Sequence, residues 1–154
     1  MRSTAARSPA SSSGNTGSET RSSGEGPPGL AATLSLYTRL GGYDVVAAFV
    51  DAWISLLILD RHLGRYFRGM STDTQRKVRQ LTVDFIAAHA GGPVLYTGRS
   101  MKVAHEGLGI SEREYDLLMR HAATALDEVK VADPEKTETL SFLARFKEDC
   151  VERL

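Results

Sequence analysis

From Leu34 onward, apolar residues recur at three- and four-residue spacing. No stretch alternates apolar and polar positions long enough to predict a strand, and no Asn-Gly or Asp-Gly hairpin turn occurs. Leu36, Tyr37 and Leu40 share one face of a short first helix, which Gly41-Gly42 ends. A long helix follows from about Tyr43 to Leu59, with Val45, Val46, Phe49, Trp53, Leu56 and Leu57 at helical spacing. Residues 60–67 form a connection, and its terminal aromatic pair, Tyr66-Phe67, must pack somewhere. Ser71 to Asp73 offers capping side chains for a third helix. Val78, Leu81, Thr82, Phe85 and His89 lie on one face of it, and Gly91-Gly92-Pro93 stops it.

A helix of at most two turns spans about Ser100 to Glu106. Ser111 and Glu114 then form a capping box, S-E-R-E. It opens a helix bearing Tyr115, Leu118, Met119, Ala122, Leu126 and Val129. Asp133-Pro134 caps a final helix with Leu140, Leu143, Phe146 and Cys150 inside. The pattern predicts an all-α domain over residues 34–154, with four substantial helices and two short ones. Such a set makes either a bundle or a crossing of helices around a cavity.

Residues 1–33 are a different material. They hold eight serines, five glycines and three of the five prolines, and almost no large apolar side chain before Leu30. That composition cannot bury enough surface to offset its ordering entropy, and it predicts a disordered tail. Arg2, Arg7 and the serines also fit an organellar targeting peptide, although Glu19 and Glu25 interrupt the pattern. Formal net charge is zero over 154 residues, which gives no pointer to a nucleic-acid or anionic-membrane partner. The longest apolar run, Val45 to Leu59, is broken by Asp51 and Ser55 and is short of the ~20 residues of a membrane span. The one cysteine, Cys150, can form no internal disulfide and reads as a small core residue. A cytoplasmic location is the expectation, with organellar targeting as the alternative.

The candidate chemistry gathers in Tyr96 to Ile110, YTGRSMKVAHEGLGI. His105 sits on the short helix, with Gly98 before it and Gly107 and Gly109 after it. So short a helix is not stable alone, so packing or a ligand bonded to His105 must hold it. From the residues alone, His105 is structural, solvated or a metal ligand, the first two being the commoner roles of a lone histidine on a short helix. The segment Tyr96, Gly98, Arg99, Met101, His105 resembles the proximal haem segment of group 1 truncated haemoglobins, the 2-on-2 globins. LYTRLGG at Leu36 to Gly42 is similar to that family's opening helix and first glycine motif. AGGP at Ala90 to Pro93 resembles the second, and HAATAL at His121 to Leu126 the helix after the proximal one. The motifs stand in family order over about 120 residues, Leu34 to Leu154.

The resemblance implies a truncated globin fold, a helical sandwich around iron protoporphyrin IX (haem), with His105 as axial iron ligand. Its other ring nitrogen is expected to donate to a backbone carbonyl, which fixes the ring. Arg99 and Lys102 are candidate partners for the anionic haem propionates, or else solvated surface charges. Tyr96 and Met101 pack on the haem edge or in the core. Phe67 falls where the family sets a phenylalanine against the haem face.

On the distal side the chain departs from the family pattern. Trp53 falls where the family usually has phenylalanine, and Ile54 where it usually has the tyrosine that hydrogen-bonds the gas ligand. Val78 and Thr82 fall nearest the ligand, where glutamine is frequent. The ligand pocket (Trp53, Ile54, Phe67, Val78, Thr82) is therefore expected to be apolar. Thr82 is its main polar candidate, unless the hydroxyl bonds back to its own helix. Trp53 offers either packing or its indole N–H. His62 reads as exposed, His121 as structural and His89 as too distant to be a sixth iron ligand.

Three functions compete. The first is reversible binding of a diatomic gas (oxygen, carbon monoxide or nitric oxide) at five-coordinate haem. The second is a haem enzyme of the same fold that detoxifies nitric oxide or acts as a peroxidase. The third is a haem-free helical interaction domain. A gas ligand is the implied partner and a reductase a further one; the sequence does not specify the oligomeric state.

Overall fold

The computed structural model describes residues 34–153, whose regular structure is entirely helical. The expectations for residues 1–33 lie outside the described residues. The elements are α1 (Leu36–Leu40), α2 (Tyr43–Leu59), a 3-10 turn (Gly64–Tyr66), α3 (Thr72–His89), α4 (Met101–His105), α5 (Glu112–Glu128), α6 (Asp133–Ala144) and α7 (Lys147–Cys150).

Local chemistry sets most of these boundaries. Gly41 ends α1 with φ of 116°, and a Cβ there would meet the Val45 side chain at 2.6 Å. Both the left-handed backbone and the close approach require glycine. Ser71 caps α3 by accepting from the Thr74 N–H at 3.1 Å. The capping box of α5 forms in full, with Ser111 and Glu114 each serving the other's backbone.

The C-terminal end differs from the expected single helix. Asp133 and Pro134 are the first residues inside α6, and Ala132, whose side chain has no acceptor, holds the cap position. The helix also stops at Ala144, and a separate turn, α7, begins at Lys147. The break lets Phe146 leave the helical line and join Phe85, His89 and Phe142 in an aromatic cluster.

Helix α2 is the centre of the molecule, packed on both α3 and α5, while α6 packs on α5 and α1. Val46, Phe49, Val50, Trp53 and Leu57 of α2 are buried, together with Val83, Phe85 and Ile86 of α3 and Ala122, Ala125 and Leu126 of α5. The small residues on α5 let α2 come close. The helix α4 packs on α7, and its Met101 also touches the main core. Among the described residues, no buried side-chain nitrogen or oxygen lacks a hydrogen bond, and no helix is long and apolar enough to cross a membrane.

Candidate functional site: an apolar cavity with one available histidine nitrogen

A cavity of about 390 Å³ lies between α2, α3, α4 and α5. That volume is in the range of small-molecule and cofactor sites. Most of its wall is hydrocarbon: Ile54, Leu57, Val78, Leu81, Ile86, Met101, Leu118 and Leu143 all contribute. His105 enters it from α4.

The short helix holds His105 through a series of local constraints. Tyr96 folds back so that its hydroxyl donates to the Arg99 carbonyl at 2.6 Å. The ring then covers Gly98, where a Cβ would collide with it. Ser100 caps α4 by accepting from the Val103 N–H at 3.3 Å. His105 Nδ1 lies 2.8 Å from the Met101 carbonyl. A carbonyl can only accept, so Nδ1 carries a proton, and in the neutral ring the lone pair falls on Nε2. That is the tautomer a metal-ligating imidazole needs. Beyond α4, the Gly107 N–H donates to the Glu152 carboxylate, and the Glu152 N–H donates to the Ile110 carbonyl at 2.9 Å. The C-terminal segment thus braces the loop that follows the histidine.

The other polar groups of the wall have partners elsewhere. The Trp53 indole N–H donates to the Leu118 carbonyl at 3.1 Å. Thr82 Oγ1 donates to the Val78 carbonyl at 2.8 Å, back along its own helix. Tyr115 donates to the Leu143 carbonyl at 2.5 Å, and burial pushes its phenol well above the usual range. Tyr66 donates to Glu114 at 2.9 Å, and burial, aided by that carboxylate, pushes it up to about 12. The Cys150 thiol is buried, which pushes it up to about 11, so it is un-ionised at neutral pH. Among the described residues, the His105 Nε2 is the wall's available ring nitrogen.

The cavity brings together Trp53, Ile54, Phe67, Val78, Thr82, Tyr96, Met101 and His105, eight of the ten candidates. Arg99 and Lys102 are exposed residues of the same segment and stand outside the wall. The remaining histidines also find places. His62 is exposed, His121 pairs with Asp60 at 2.8 Å, and His89 packs on Phe85 away from the cavity wall. Sequence reasoning missed the cavity roles of Tyr66, Glu114, Tyr115 and Cys150. Tyr66 stood beside Phe67 as an aromatic needing a place, whereas Glu114 carried only a capping signal.

An imidazole presented with a fixed tautomer into a hydrocarbon-walled space suits a flat, apolar metallocofactor with one protein ligand. No cluster of three His, Cys, Asp or Glu side chains suited to an isolated metal ion occurs among the described residues. Residues 35–152 match the sequence profile of the bacterial-like globins. The chain belongs to that family, and within it to the group 1 truncated haemoglobins, which are haem-binding globins. It is 32% identical to a group 1 truncated hemoglobin of Mycolicibacterium paratuberculosis, over 74% of this chain and 82% of that one. The 2/2 hemoglobin of a Synechococcus species, crystallised in the cyanomet state with covalently attached heme, is similar with a TM-score of 0.70 at 25% identity. That match covers 78% of this chain and 100% of the other. The Fe(III) truncated hemoglobin of Tetrahymena pyriformis shares the fold, with a TM-score of 0.71 at 24% identity and coverage of 78% and 100%. Haem is the cofactor of this family, and the cavity's single-histidine donor set fits it.

Proposed function

We propose that this chain binds a diatomic gas reversibly at haem held by His105, in a pocket that offers the gas no hydrogen-bond donor. The observation that carries the reading is the hydrogen-bond pattern of the wall. His105 turns its lone pair to the cavity, while Trp53, Thr82, Tyr66, Tyr96 and Tyr115 all direct their protons elsewhere. Haem supplies an iron atom with an open coordination position for the gas. His105 holds one side of that cofactor. Phe67, Tyr96 and Met101 of the wall would pack against it, and Arg99 and Lys102, exposed on the same segment, would be the cations available to its propionates. Ile54, Val78 and Trp53 give the gas an apolar surround. Among the described residues, His62 is exposed, His121 pairs with Asp60 and His89 packs on Phe85, which supports an iron that would be five-coordinate without gas.

Oxygen, carbon monoxide and nitric oxide all fit so small and apolar a space. Turnover of nitric oxide requires a long-lived oxygen complex, and a wall without donors works against one. The test is an absorption spectrum of the reduced protein before and after each gas. A five-coordinate spectrum that converts fully on adding carbon monoxide supports the proposal. A six-coordinate spectrum without added ligand refutes it.

A further inference from the structure

Glu114 is the one carboxylate in the cavity wall among the described residues. Its side chain is only 15% exposed. Its oxygens accept from the Ser111 N–H at 3.0 Å, the Ser111 hydroxyl at 3.1 Å and the Tyr66 hydroxyl at 2.9 Å. Arg65 Nε and Nη2 add bonds of 3.2 and 2.8 Å. Burial works to raise this carboxyl, but the bonds from Ser111, Arg65 and Tyr66 overcome it and hold it down to about 2. Glu114 therefore carries its charge throughout the neutral range.

A capping box needs only the bonds to Ser111. The rest of the arrangement goes beyond capping. Arg65 also donates to the Tyr66 hydroxyl at 2.6 Å, and its guanidinium lies 4.4 Å from the centre of the Tyr66 ring. The cation is thus fixed against the carboxylate and against an aromatic ring of the wall, on the 3-10 turn that leads into Phe67.

Ferric haem carries one more positive charge than ferrous haem. An anion in the cavity wall favours the ferric state, and a cation beside that anion opposes it; Glu114 is largely shielded from solvent, whereas the Arg65 side chain is 50% exposed, so solvent partly screens its field. We propose that Arg65 and Glu114 are a charge-balancing pair that sets the reduction potential of the haem iron. Arg65 offsets the carboxylate that the cap of α5 brings to the cavity, and so raises the potential at which an external electron donor reduces the iron to its ferrous form. The inference rests on the seating of haem by His105 proposed above.

The experiment is a spectroelectrochemical titration of haem-loaded wild type, Arg65→Gln, Glu114→Gln, the double variant and Tyr66→Phe. Glutamine at position 114 can still cap α5, so the fold is kept. Arg65→Gln should lower the midpoint potential, because the carboxylate is then uncompensated. Glu114→Gln should raise it, and the double variant should fall between the two. Tyr66→Phe, which keeps both charges, should stay near wild type. Arg65→Gln and Glu114→Gln shifting in the same direction would mean that they merely disturb the turn, and would overturn the proposal. So would unchanged potentials in variants with normal ferrous–carbonyl spectra. A wild-type chain that takes up no haem overturns the seating by His105 as well, and uptake spectra distinguish that failure from the others.

Discussion

Ile54→Tyr tests the reading of the cavity most directly. Ile54 lies on α2 in the cavity wall, half-buried beside Trp53. Oxygen gains partial negative charge when it binds haem, so a hydroxyl reaching it makes a bond with charge assistance. Such a bond is worth about 1.5–3 kcal/mol. The wall supplies no such bond from Trp53, Thr82, Tyr66, Tyr96 or Tyr115, since each donates to a carbonyl or carboxylate at 2.5–3.1 Å. Each ~1.4 kcal/mol is about a factor of ten. The Ile54→Tyr variant should therefore release oxygen roughly ten to a hundred times more slowly than wild type, on that bond energy. Carbon monoxide is far less polar when bound, and its release should barely change. Stopped-flow mixing of the oxygenated protein with excess carbon monoxide gives the first rate, and displacement by nitric oxide gives the second. The reasoning is refuted if Ile54→Tyr takes up haem normally yet releases oxygen at the wild-type rate. A parallel slowing of carbon monoxide would refute it too, since that indicates a blocked exit rather than a hydrogen bond.

Other variants separate the roles of neighbouring groups. His105→Ala should lose haem during gel filtration and regain a haem spectrum with added imidazole, whereas unchanged retention would exclude it as the ligand. Thr82→Val should alter oxygen release little, because that hydroxyl is bonded to the Val78 carbonyl; the same stopped-flow assay checks it. Asp60 is held down to about 2, chiefly by the His121 hydrogen bond, so its stabilisation is present above the ordinary carboxylate range and disappears as pH falls toward 2. Thermal melts should accordingly show Asp60→Asn below wild type at pH 7, with the gap narrowing from about pH 4 to pH 2. Gly98→Ala should lower the melting temperature and weaken haem retention, because the new methyl collides with Tyr96 and displaces the segment leading to α4.

What was legible in the chain is what short-range chemistry decides. The Gly41 stop, the Ser71 cap and the Ser111–Glu114 box each involve residues at most a few positions apart, and all three form as read. The face of α3 was legible because period alone aligns Val78, Leu81, Thr82 and Phe85, and all four line the cavity. The split of the last helix was not, because the pull on Phe146 comes from Phe85 and His89, far off in the chain. Likewise the Trp53 N–H finds its acceptor on Leu118, 65 residues away. Glu114 shows the same limit from another side. Its capping role is local and visible, but its place in the cavity depends on Arg65 and Tyr66 arriving from another element.

The brace at Glu152 bears on any attempt to transplant this site. The segment Tyr96 to His105 looks portable, a short cassette with its own cap and its own histidine tether. Yet the loop just after it is fastened by a residue 45 positions downstream, through Gly107 and Ile110. Grafted into another helical scaffold without residues 147–153, the cassette would carry a correctly protonated imidazole on an unfastened hinge. A designer seeking the ligand's aim as well as its chemistry has to move both pieces together.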